Sequence, residues 1–86
     1  MALSLIQNLK STMRKNIVGT MHYQDLGPGF WGISDARGER YRPITVPKAL
    51  EKEGLRVELT VQIIQEEASL FMWGTTVKII DYQVKA

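Results

Sequence analysis

Three arginines stand close together in the run GFWGISDARGERYRPI, residues 29–44: Arg37, Arg40 and Arg42. Phe30 lies in the same run. Cations beside aromatic rings are what single-stranded nucleic acid requires, because guanidinium groups track phosphates and rings stack on bases. The run predicts a β-hairpin. Ala36-Arg37-Gly38 suits a three-residue loop, a type I turn closed by Gly38 in the left-handed region. That loop sets Asp35 opposite Glu39, Ser34 opposite Arg40, Ile33 opposite Tyr41, Gly32 opposite Arg42 and Trp31 opposite Pro43. Opposed residues share a face of the sheet. Trp31, Ile33 and Tyr41 then face a core, while Phe30, Gly32, Ser34, Arg40 and Arg42 face outward. A blander reading makes the arginines a solvated face paired with Asp35, Glu39 and Glu58. Glu66 and Glu67 further along oppose a phosphate backbone, and Leu26-Gly27-Pro28-Gly29 carries no cation.

Catalysis has thinner support. His22 is the only histidine. General acid–base work by His needs an orienting partner, and Asp25, at an odd offset along a strand, falls on the opposite face. Asp35 and Glu39 meet across an exposed turn, where carboxyl pKa values have little reason to move. Ser4, Ser11, Ser34 and Ser69 sit in no nucleophile motif. Gly27-Pro28-Gly29 lacks the lysine and the following helix of a phosphate loop. No spacing suits a metal. The expectation is a protein that is not an enzyme, with no metal and no cofactor.

The elements that must position these residues follow from periodicity. Leu3, Ile6, Leu9 and Met13 recur at helical spacing, Leu5 widens the stripe, and a helix is predicted at residues 2–14. Strands are predicted from Ile17 to Leu26, Phe30 to Asp35 and Glu39 to Ile44. Val46 to Glu53 predicts a short helix, with Pro47 at its first position, Thr45 as its cap and Gly54 as its stop. Leu55, Val57, Leu59, Val61 and Ile63 alternate with polar residues, the clearest strand, and Thr76 to Val84 is the last. Leu70-Phe71-Met72-Trp73 is apolar and reads as a plug for one end of a barrel, or as a protein-binding patch if exposed.

Five strands with a helix between the third and fourth is the order of an OB-fold, a small Greek-key barrel. The sequence analysis thus predicts a mainly β fold: residues 1–15 as an N-terminal amphipathic helix, then an OB-like barrel over residues 16–86. The motifs GFWGI, Asp-x-x-Gly, Arg-Tyr-x-Pro, GLRV and MWGT resemble a group of small single-domain OB-fold-like bacterial and archaeal proteins of unassigned function. The resemblance spans about residues 17–84 and implies the fold, with no catalytic residues to carry over.

Eighty-six residues suit one domain. A net charge of +2 is modest for a nucleic-acid binder. The absence of cysteine points toward the cytoplasm. The first residues do not read as a signal peptide, and Lys10, Arg14 and Lys15 are too few for a membrane-surface helix. The function expected is therefore a binding or interaction module, through protein contact or self-association, with Leu3, Ile6, Leu9, Met13, Phe71 and Trp73 as its contact residues. The alternative is single-stranded nucleic acid on the face holding Arg37, Arg40, Arg42 and Phe30.

Overall fold

The computed structural model describes residues 13–64 and 73–85. Five strands close into a barrel in the order β1-β2-β3-β5-β4. They are β1 (Arg14–Gln24), β2 (Phe30–Asp35), β3 (Arg40–Pro43), β4 (Arg56–Ile63) and β5 (Thr75–Val84). Every pairing is antiparallel except β3 with β5, and β1 closes the barrel by pairing with both β2 and β4. This is the OB-like barrel expected.

β4 shows why these residues make a barrel wall. Val57, Leu59 and Val61 are buried, while Arg56, Glu58 and Thr60 between them are not. Each buried Val or Leu contributes about 1.5–3 kcal/mol of transfer free energy. Ile17, Met21, Ile33, Tyr41 and Val77 complete the core from the other strands. The Lys15 ammonium lies 5.5 Å from the centre of the Tyr41 ring.

The hairpin forms as its loop length requires. Ile33 faces Tyr41 and Ser34 faces Arg40. Gly38 adopts φ 84° and donates its N–H to the Asp35 carbonyl at 3.0 Å. The Asp35 carboxylate accepts the N–H groups of Arg37 and Glu39 at 3.0 and 2.9 Å.

The start of β1 and the connection before β4 differ most from expectation. β1 begins at Arg14, so Arg14 and Lys15 belong to the barrel, paired with Gln62 and Val61 of β4. Met13, just before β1, is not helical, and residues 2–12 of the predicted N-terminal helix, with Leu3, Ile6 and Leu9, lie outside the described residues. The helix predicted over Val46 to Glu53 is a single 3-10 turn, Lys48–Leu50. Pro47 is its N-cap rather than its first residue, and no side chain caps it, Thr45 included. Tertiary pairing ends the turn early. The Gly54 N–H donates to the Met21 carbonyl at 2.8 Å, and the Met21 N–H donates to the Leu55 carbonyl at the same distance. The chain is thus captured by β1 before a second helical turn forms, and Leu50 is left fully buried as a core plug.

β5 meets β3 only at Thr75, Thr76 and Val77. From Lys78 onward it pairs with β4 alone among the described residues. No helix of the described residues is long and apolar enough to cross a membrane.

Candidate functional site

The alternation of β2 turns Ile33 inward and Gly32 outward. Gly32 is nevertheless buried, because Trp73 stands on it. A Cβ on Gly32 would lie 2.4 Å from the Trp73 Cη2 and 2.7 Å from its Cζ3. The indole therefore meets the sheet through the edge of its six-membered ring. Phe30 packs against it edge to face, with ring centres 5.2 Å apart. The Arg40 guanidinium lies 5.0 Å from the centre of the same ring. Arg40 is exposed, and Phe30 and Trp73 are half-buried. Three sequence-distant residues thus form one cation–aromatic cluster on the outer face of β2 and β3.

Trp73 is no barrel plug. The core is already filled by strand residues and Leu50, and the missing side chain at Gly32 offers the indole a seat outside it. Phe71 lies outside the described residues. Met13 is 57% exposed at the start of β1.

The arginines separate into different roles. Arg42 is half-buried and donates to the Thr76 hydroxyl at 2.9 Å, which ties β3 to β5 at their short parallel pairing. Arg37 is exposed at the hairpin tip. Two of the carboxylates expected to neutralise the arginines, Asp35 and Glu58, are engaged elsewhere. Asp35 holds the hairpin turn. Glu58 accepts the Asn16 side-chain amide at 3.0 Å and lies 3.4 Å from the Lys85 ammonium. The Asn16 bond first, and Lys85 after it, hold its carboxyl below the usual carboxylate range.

His22 sits opposite Gly32 on β1, so it flanks the same face. Its partner is Glu53, which sequence reasoning missed. The His22 Nδ1 lies 2.6 Å from the Glu53 Oε2, and the other carboxylate oxygen accepts the Tyr23 N–H at 2.8 Å. The Tyr23 N–H first, and His22 second, hold the Glu53 carboxyl below its ordinary range. The pair is open to solvent, at 42% and 62% exposure, rather than set in a cleft. Beside it Tyr23 meets Trp31 edge to face, ring centres 5.4 Å apart. Nothing local announced Glu53, since its position depends on the loop that Gly54 ties to β1.

No protein-family model matches the chain, and no curated protein and no solved structure matches it either.

Proposed function

We propose that the barrel is a non-catalytic binding module and that the outer face of β2 and β3 takes single-stranded nucleic acid. The observation that carries this is the cluster of Arg40, Trp73 and Phe30 seated over Gly32. It joins a cation to two rings at the surface, the combination that stacks bases and tracks a backbone. Arg37 at the adjoining hairpin tip extends the positive edge, and the nearest turn carboxylate, Asp35, is turned to backbone N–H groups. The exposed His22–Glu53 pair fits a surface clamp between a loop and β1 better than an acid–base couple. The lack of cysteine fits a reducing compartment such as the cytoplasm.

The test is fluorescence anisotropy of a labelled mixed-sequence oligonucleotide, titrated at low and at moderate salt. Binding is expected to weaken steeply with salt, as counterion release requires. Arg40→Ala removes a charge and uncovers the indole, and its expected cost is about tenfold in affinity, at the lower end of a stacking contact. Salt-independent binding, or none at low salt, overturns the proposal.

Protein contact is the second reading. It is favoured by Tyr23 and Leu26, each 47% exposed around the end of β1.

A further inference from the structure

The barrel register lines up one row of residues across four strands. Thr20 of β1 faces Ser34 of β2 on one side and Arg56 of β4 on the other, and Ser34 faces Arg40 of β3. Opposed residues share a face of the sheet. The core lies on the other face, because Ile33 and Val57, beside Ser34 and Arg56, are fully buried. The row thus runs Arg40, Ser34, Thr20, Arg56 along the outside, with a cation at each end and two hydroxyls between. Three strand spacings make it about 14 Å long. Thr20, Ser34 and Arg56 share an open groove of about 290 Å³ with Val18 and Ala36.

We infer, resting on the nucleic-acid reading above, that the sugar–phosphate backbone of a single strand follows this row. Arg56 of β4 is then a phosphate contact, and the site extends from β2 and β3 across β1. Hydroxyls and guanidinium groups are the usual side-chain donors to phosphate oxygens. Arg56 is exposed, and its guanidinium has no ion pair among the described residues. Arg40 begins the row and also lies over the Trp73 ring. Gly32, which seats that ring, is the next outward position of β2 from Ser34, about 7 Å along the strand. Rings and donors therefore occupy neighbouring rows, as bases and backbone do in one strand.

Asp35 and Glu58 flank the row, each with partners of its own. Asp35 lines the same groove, but its carboxylate accepts the Arg37 and Glu39 N–H groups of the hairpin turn. Glu58, the next outward residue of β4, is held by Asn16 and Lys85. The row itself carries two positive charges and no carboxylate, which leaves a positive track for a polyanion.

The salt dependence of binding by the full chain tests the path. Anisotropy of a labelled mixed-sequence single-stranded oligonucleotide is titrated at several salt concentrations with the parent, Arg56→Ala and Arg14→Ala. Arg14 is exposed on the same outer face of β1, about 20 Å from Thr20 along the strand, so its loss removes the same charge away from the path. Arg56→Ala should weaken binding and lower the salt slope by about one unit, the share of one phosphate contact. Arg14→Ala should keep the parent's slope. A parental slope in Arg56→Ala, or an equal loss in Arg14→Ala, overturns the path and leaves the β2–β3 face standing as long as the parent binds. No binding by the parent overturns both. Thr20→Glu against Thr20→Gln, a pair of equal size, probes the middle of the row without touching either arginine. The Glu variant should bind about tenfold more weakly than the Gln variant, because a like charge then faces the phosphates. Equal binding by the two again overturns the path.

Discussion

Gly32 is the residue on which the candidate site rests. It sits between two large neighbours, Trp31 and Ile33, and its lack of a side chain is what lets Trp73 approach the strand. Gly32→Ala places a methyl group 2.4 Å from the indole edge. Overpacking of this kind costs about 1–3 kcal/mol. Urea denaturation should show that loss, and Trp73→Ala in the same chain should remove most of it. A Gly32→Ala protein as stable as the parent would mean that the indole is not seated there. In the sequence Gly32 reads only as an outward position of the hairpin. Its partner comes from the far end of the β4–β5 connection, and no local pattern joins the two. The three arginines were legible as a group, but their separate fates were not. Arg42 turns to Thr76 and Arg40 to Trp73, and both partners belong to the stretch around the start of β5.

Among the elements, the hairpin was the most legible because its register depends on loop length alone. Gly38 holds φ 84°, and a Cβ there would meet nothing within 4 Å. Gly38→Ala therefore carries a backbone penalty and no steric one, about 1–2 kcal/mol. Gly38→Asn should recover part of that loss, since Asn tolerates the left-handed region better. Thermal unfolding of the two variants checks the order. Equal melting temperatures for Ala and Asn would show that the loop has changed type. The Val46 to Glu53 segment was less legible. Its proline and glycine punctuate a helix, but the hydrogen bonds that Met21 accepts from the Gly54 N–H and donates to the Leu55 carbonyl outweigh a second turn. Tertiary pairing can override the weak propensity of so short a segment.

At the scale of the whole molecule, two surface carboxylates link the barrel's stability to pH. Glu53 fastens the β3–β4 connection to β1 through the Tyr23 N–H and His22, and Glu58 joins β4 to Asn16 and Lys85. Both carboxyls are held below their ordinary range in the folded protein. A depressed folded value means that the charged form is favoured by folding. Its contribution is complete above the unfolded carboxyl range and is lost as pH falls through the lower folded value. Stability should therefore decline on acidification from about pH 5 downward, and Glu53→Gln should flatten part of that slope. Urea midpoints at several pH values measure it. A variant with the parent's full acid slope would leave Glu53 without a role in it.

Sequence alone determined the class of fold. Alternation at β4, punctuation by Gly and Pro, and a three-residue hairpin loop are local signals, and each is a matter of backbone sterics or of side chains alternating about one strand. Five such strands in this order leave few ways to bury their apolar faces, so the barrel follows. Only the tertiary structure decided which residues meet on its outside. Trp73 over Gly32, Glu53 against His22, and the parting of β3 from β5 all join segments far apart in the chain. They depend on how the closed barrel brings loops and edges together, and a one-dimensional pattern carries no term for that.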